Sequence, residues 1–338
     1  MSPTQSHPPR SSRTRWLEPK AAIAKLDFAG TVREGLTSEP KSLPCTFLYD
    51  EEGSRLFEEI CELPEYYLTR AEGEILERAA PDLAARLPTI ETVVELGSGS
   101  AVKTESLLRA FQRDGRALRY APIDVSRAAL EESVDRLEET HPELEILPAI
   151  AEYEVGLAEI EDLELGPQLT LWLGSSIGNL EREDAADFLA RRSANMSESD
   201  RMLVGIDLRK DREVLERAYD DSRGVTARFD LNLLSRINRE LHGHFAPERF
   251  AHRVHYDEVF GRVRSYLESR ETQSVRIDDL DLDVSFNAGE RIHTEDSHKY
   301  SFEEIDDLAL RAGLEVSERY LDSQGLFSLN LLEPRSPA

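Results

Sequence analysis

Thr92-Val-Val-Glu-Leu-Gly-Ser-Gly-Ser-Ala-Val-Lys-Thr104 is the stretch on which the reading of the fold turns. The apolar pair Val93 and Val94 leads through Glu95 and Leu96 into a tight glycine loop, Gly97 to Gly99. Leu107, Leu108 and Phe111 then recur at helical spacing. Strand, glycine turn and helix in that order bring backbone N–H groups close to a nucleotide-like ligand in an α/β protein. One residue counts against two common users of such a loop. A dinucleotide fingerprint needs a third glycine where Val102 stands, and a phosphate-cradling loop needs glycine at that same place, directly before Lys103-Thr104.

What remains is the loop of an acidic residue plus GxG with which class I methyltransferases hold S-adenosylmethionine, a ligand with no phosphate to wrap. A glycine turn without any ligand is the bland alternative for so short a motif. The surrounding pattern favours the first reading. Residues 118–126 make a second strand ending in Asp124, 144–150 a third, 169–173 a fourth and 201–208 a fifth. Leu130, Val134 and Leu137 mark a helix between the second and third strands, and 184–196 reads as another. Such alternation argues for a parallel, doubly wound sheet.

Outside this block the pattern changes. Residues 1–18 are rich in Ser, Pro and Arg and read as a disordered tail with no secretory leader. Residues 21–37 suggest a short helix, and Leu56, Phe57, Ile60 and Cys61 form the apolar face of the next. Thr69-Arg-Ala-Glu72 reads as a capping box opening a helix through Leu83, and Ser301-Phe-Glu-Glu304 as a second. The alternation stops at 210–287, where helix-like runs (212–219, 231–241) precede strand-like ones (272–277, 280–286). This region reads as an insertion that binds substrate. Residues 314–320 and 326–332 close the chain as an antiparallel hairpin.

The 338 residues carry 67 acidic against 41 basic side chains, a net charge of -26. Such a surface repels phosphate backbones and anionic lipid, so neither nucleic acid nor membrane is an expected partner. No apolar run has the length of a membrane span. Two cysteines, Cys45 and Cys61, are too few for a disulfide framework, and a reducing cytoplasm and a monomer fit the chain. The loose histidine groups His242-Gly-His244 and His252/His255 match no metal signature, so no metal is expected.

Three features carry chemistry. Asp124, at the carboxyl end of the strand after the glycine-loop helix, stands where a carboxylate accepts hydrogen bonds from both ribose hydroxyls. Asn179 ends the run Gly174-Ser-Ser-Ile-Gly-Asn after the fourth strand, where an uncharged amide can orient an amine toward a sulfonium methyl. Tyr49, Tyr66, Tyr67 and Tyr219 lie outside the plain sheet pattern, and phenols suit a pocket for a small amphipathic ligand. His293 and His298 flank Thr294-Glu-Asp-Ser297, which reads as a polar loop over the site.

Together, Pro40-Lys-Ser-Leu-Pro44, Leu63-Pro-Glu-Tyr-Tyr-Leu-Thr-Arg-Ala-Glu72, Glu95-Leu-Gly-Ser-Gly99, Gly174-Ser-Ser-Ile-Gly-Asn179, Ala218-Tyr-Asp-Asp221 and Thr294-Glu-Asp-Ser-His-Lys299 resemble the histidine-specific Nα-methyltransferases of ergothioneine biosynthesis. The resemblance runs from about residue 30 to the C-terminus. It implies a class I, Rossmann-like methyltransferase domain (74–208 plus 298–338) with an inserted α+β substrate-binding domain (19–73 plus 209–297). The implied reaction is trimethylation of the α-amino group of L-histidine to hercynine, with S-adenosylmethionine as methyl donor.

By the same resemblance Gly97, Lys103 and Asp124 bind S-adenosylmethionine, with Glu152-Tyr153 beside the adenine where the family often has Asp-Phe. Asn179 and Tyr219 hold the amino acid's carboxylate, Tyr49 and Gly174 lie near its amino nitrogen, and Tyr66, Glu295 and Ser297 read the imidazole. Ser265 stands where some members place Met near the ring. The competing expectations are the same machinery acting on another aromatic amino acid such as tryptophan, and a non-catalytic S-adenosylmethionine-binding regulator.

Overall fold

A computed structural model describes residues 13–18 and 27–335. Its main sheet is built from β1 (Thr92–Leu96), β2 (Arg119–Asp124), β3 in two short pieces (Glu145–Ile146 and Ala149–Ile150), β4 (Gln168–Trp172), β5 (Arg201–Asp207), β6 (Leu314–Leu321) and β7 (Phe327–Pro334). Across the sheet the order is β6-β7-β5-β4-β1-β2-β3. β1 to β5 pair in parallel, and β7 pairs antiparallel with both β5 and β6. This is the class I methyltransferase sheet, with its antiparallel closing hairpin. The order reverses between β1 and β4, so ligands belong outside the carboxyl ends of these strands.

Both faces are covered, which is why the strands read as nearly continuous apolar runs. Val93, Tyr120, Leu171 and Leu203 face one core, and Val94, Ile123, Trp172 and Val204 face the other. β3 breaks in two around Leu147-Pro148, where a proline cannot donate to a ladder. Residues 13–18 belong to the sheet rather than to a tail. Arg15 N donates to Ile146 O and Leu17 N to Pro148 O, both at 2.9 Å, so the segment pairs with the edge at β3. Residues 1–12, and the part of the expected first helix before Asp27, lie outside the described residues; the helix is Phe28–Thr37.

A second sheet has the order Lys41–Ser42, Arg291–His298, Arg262–Ser269, Phe250–Asp257, with a separate hairpin of Gln273–Ile277 and Leu282–Phe286. Helices Glu51–Cys61, Arg212–Tyr219 and Val225–Leu241 complete this region. Its core residues Val225, Leu233 and Ile292 share one apolar cluster with Val93 and Leu171 of the main sheet. Helix Leu68–Arg86 runs unbroken past residue 74, so both regions share it.

Two further expectations fail for physical reasons. The run around Thr294 is not a loop but part of strand Arg291–His298, whose polar residues are held by cross-strand pairing. Its register with Arg262–Ser269 shifts between His293 and Glu295, a bulge at Thr294. Thr69 and Glu72 form no capping box: the N-cap is Tyr67, two residues earlier, without a side-chain cap, and Glu72 turns into the core. The second capping box is real, with Ser301 and Glu304 each accepting from the other's backbone N–H.

Candidate active site

The glycine loop is shaped by close approach. Gly97 has φ 67, and a Cβ there would lie 2.7 Å from the Tyr153 hydroxyl. Its N–H donates to Ile123 O at 2.8 Å, tying the loop to β2. Asp124 Oδ2 accepts from Gly99 N at 2.9 Å and Oδ1 from Ser126 N at 2.8 Å, so the loop and the carboxylate form one unit. Burial pushes the Asp124 carboxyl above its ordinary range, although these N–H groups favour its charge. Ser98 Oγ is buried with no hydrogen-bond partner among the described residues, which leaves a polar group for a ligand to satisfy. Val102 and Val125, 59% and 57% exposed, place apolar surface beside the loop and the carboxylate.

Tyr153 packs edge-on to Trp172 and Phe188, with centroids 6.2 Å and 6.3 Å away, and burial pushes its phenol up to about 12. Glu152 is the N-cap of helix Tyr153–Glu161 and makes no capping bond. Glu95, the acidic residue of the motif, has both carboxylate oxygens engaged by the protein. It is 3% exposed and accepts from Thr104 Oγ1 at 2.7 Å and from the Tyr120 hydroxyl.

Lys103 pairs with Glu72, whose other oxygen accepts from Gly174 N at 2.7 Å. One fully buried carboxylate therefore links the glycine-loop side to the loop that carries Asn179. That loop turns through Ser176–Asn179 against strand Arg291–His298, so closely that a Cβ on Gly178 would fall 2.7 Å from His298 O. Asn179 is half-buried, and its side-chain amide has no partner among the described residues.

The aromatic wall forms beyond this turn. Tyr49 packs edge-on against Phe57 and Phe229 at 5.4 Å each, and Tyr66 lies 6.2 Å from Tyr219. Tyr219 Oη is 2.8 Å from Ser297 Oγ, and Lys299 Nζ donates to both, at 2.8 Å and 2.9 Å. The third Lys299 donor meets Asp207 Oδ2 at 2.8 Å. Asp207, at the end of β5, also accepts from the Tyr67 hydroxyl and pairs with Lys210. Glu295 lies opposite Ser265 in the ladder, and its carboxylate has no hydrogen-bond or ion-pair partner among the described residues. Burial first, then the nearby Asp230 charge, push its carboxyl up to about 7.

The sequence matches the family described as histidine-specific, S-adenosylmethionine-dependent methyltransferases over residues 28–334. The chain belongs to that family. It is 40% identical over 301 residues to a histidine N-alpha-methyltransferase of Mycolicibacterium smegmatis, covering 89% of this chain and 92% of that protein. It is 36% identical to ergothioneine biosynthesis protein 1 of Neurospora crassa, over 86% of this chain but 33% of that longer protein. An L-tryptophan methyltransferase of Psilocybe serbica is 28% identical, with 88% and 90% covered.

For a methyltransferase of this family the cofactor end fits its ligand: an orphaned hydroxyl on Ser98, a glycine cradle, a carboxylate held by N–H groups, and an apolar rim. The structure brings Gly97, Asp124 and Tyr153 together directly, and Lys103 to Gly174 through Glu72. It groups Tyr66, Tyr219 and Ser297, with Glu295 on the strand beside them. Sequence reasoning missed Glu72, Asp207 and Lys299. A strand period through 295, 297 and 299 puts Glu295, Ser297 and Lys299 on one face, and was the available signal for Lys299. The histidines do not gather. His242 pairs with Asp279 and His244 with Asp278 at the surface, while His252 is buried on Asp230. Among the described residues no group of three or more His, Cys, Asp or Glu could hold a metal, and no helix is long and apolar enough to cross a membrane.

Proposed function

We propose that this protein transfers three methyl groups to the α-amino nitrogen of L-histidine, giving hercynine, the first step of ergothioneine biosynthesis, and that it works as a cytoplasmic monomer. Bound S-adenosylmethionine would supply a methyl on a sulfonium, whose S–C bond would break as an amine lone pair attacked the methyl in line and the thioether left as S-adenosylhomocysteine, so positioning provides most of the catalysis. The observation that carries the histidine assignment is Glu295, a carboxylate without a partner among the described residues, beside the Tyr219–Ser297 hydroxyls. An imidazole N–H satisfies it; an apolar ring leaves it unpaired.

The roles follow from the donors. Lys299 donates to Tyr219, so the phenolic hydrogen of Tyr219 is free to meet Ser297 or a substrate carboxylate. Asn179 offers an unpaired amide to the same group. Burial and the nearby Glu295 charge hold the Tyr49 phenol protonated well above its ordinary range. Tyr49 therefore accepts a hydrogen bond from the amine but does not take its proton, which leaves with water. Each round releases one proton and forms one N–C bond. After the third the nitrogen has no lone pair, and the reaction stops.

Incubation with S-adenosylmethionine and each candidate amino acid, followed by mass spectrometry, tests the proposal. A gain of three methyl groups on histidine is expected. Product with tryptophan and none with histidine overturns the substrate assignment. Cofactor binding without turnover on any amino acid favours a regulator. Glu295→Ala should raise KM for histidine by about tenfold or more while S-adenosylmethionine binding holds.

A further inference from the structure

The second sheet holds a buried charge pair to which the reaction above gives no task. His252 on strand Phe250–Asp257 and Asp230 on helix Val225–Leu241 are 8% and 2% exposed. His252 Nδ1 lies 2.7 Å from Asp230 Oδ2, and Nε2 lies 2.9 Å from the carbonyl oxygen of Tyr219. A carboxylate and a carbonyl only accept, so both ring nitrogens must donate and the ring is an imidazolium. Burial opposes that charge, but the hydrogen bond and charge of Asp230 outweigh it and hold the ring's pKa above its ordinary value. The other Asp230 oxygen, Oδ1, is buried with no hydrogen-bond partner among the described residues, so the pair does not quench that carboxylate.

The ladder relates this pair to the site. Glu295 is opposite Ser265, and Ser265 is opposite Val254. Directly opposed residues share a face, and so does His252, two residues before Val254. His252 and Glu295 therefore occupy one face of the sheet, separated by the Arg262–Ser269 strand. Tyr49, Tyr66, Tyr219 and Cys45 are all neutral, their ionisation pushed up chiefly by burial. The charges acting on Glu295 are Asp230 and Asp296, which raise its pKa, and Lys299 and His252, which lower it. Lys299 is already committed to Asp207.

We propose that the His252–Asp230 pair is a positioning device for substrate recognition: it fixes the backbone of Tyr219 and, from the same face of the sheet, biases whether Glu295 donates a hydrogen bond to a ring nitrogen or accepts one from a ring N–H. The inference rests on Glu295 meeting the imidazole. Its signature is a charge balance that a purely structural pair lacks. Removing the positive ring leaves Asp230 uncompensated and favours protonated Glu295. Removing Asp230 as well takes away the negative charge that caused the change.

The test is histidine binding to the S-adenosylhomocysteine-loaded enzyme by calorimetry from pH 5.5 to 9, in the wild type, His252→Gln, His252→Gln/Asp230→Asn and Glu295→Gln. Titration of free histidine is common to all four, so differences belong to the protein. His252→Gln should move the midpoint of the pH dependence up by about one unit. The double variant should return it to the wild-type value or below. His252→Asn serves in the same role if the Gln variant does not melt cooperatively. An unmoved midpoint in the single variant, or a double variant shifted as far as the single one, overturns the proposal. Glu295→Gln that binds histidine with wild-type affinity and pH dependence overturns instead the imidazole assignment beneath it.

Discussion

Replacing Lys299 with Met separates the substrate side of the site from the cofactor side. Lys299 is fully buried, and its three donors reach Asp207, Tyr219 and Ser297. Removing one partner of a buried ion pair costs about 3–5 kcal/mol, because the other charge is left uncompensated. Here Asp207 keeps the Tyr67 hydroxyl, at 2.8 Å and 2.9 Å to its two oxygens, and the Lys210 ammonium. Met also fills much of the vacated volume, so the loss should sit near 3 kcal/mol. With an unfolding entropy of about 2.1 cal/mol/K per residue, the 338-residue chain should lose about 4 °C in Tm. The functional loss is local. Tyr219 and Ser297 lose the donor that fixes both hydroxyls, worth about 1.5–3 kcal/mol for a charged donor, or roughly a 10- to 100-fold rise in the histidine Kd. S-adenosylhomocysteine binding, on the Glu72 side of the site, should hold. Scanning calorimetry and two titrations measure all three quantities. An unchanged Tm, or equal weakening of both ligands, would refute the description of Lys299 as the anchor of the substrate hydroxyls.

Two further substitutions probe the cofactor side. Burial pushes the Glu95 carboxyl up to about 7, against the hydrogen bonds from Tyr120 and Thr104 that favour its charge. Its folded pKa is therefore above the unfolded value of 4.5, and its stabilising contribution is complete below pH 4.5 and lost as pH rises through 7. Glu95→Gln is neutral throughout, so it should gain about 1–3 kcal/mol on the wild type between pH 5 and pH 8.5 in urea unfolding; a constant difference between the two proteins counts against this. Gly97→Ala forces a Cβ into a left-handed backbone and to 2.7 Å from the Tyr153 hydroxyl. It should cost about 1–3 kcal/mol and weaken S-adenosylhomocysteine while the far-ultraviolet spectrum stays unchanged; wild-type affinity would place the ligand away from this loop.

The parts of the site legible in the sequence are those fixed by local geometry. Gly97 and Gly99 announce a turn, Asp124 the end of a strand, and Val102 the absence of a phosphate to wrap. The reading failed where long-range contacts reassign a residue's task. Thr69-Arg-Ala-Glu72 has the composition of a cap, yet Glu72 serves Lys103 and Gly174, residues remote in sequence. Residues 294–297 look polar enough for a loop, yet they pair as a strand because Arg264 and Arg262 across the ladder take up Asp296.

By itself the sequence determined the doubly wound sheet and the glycine loop, because periodicity and short motifs survive without knowledge of neighbours; the resemblance implied roles for the tyrosines and Glu295. Only the tertiary structure decided how the proposed substrate end is held: by the buried chain from Tyr67 and Asp207 through Lys299 to Tyr219 and Ser297. It also showed that the two ends meet at Glu72. The physical reason is desolvation. A buried charge is stable only beside partners that the chain supplies from far away, and no local pattern records which partners those are.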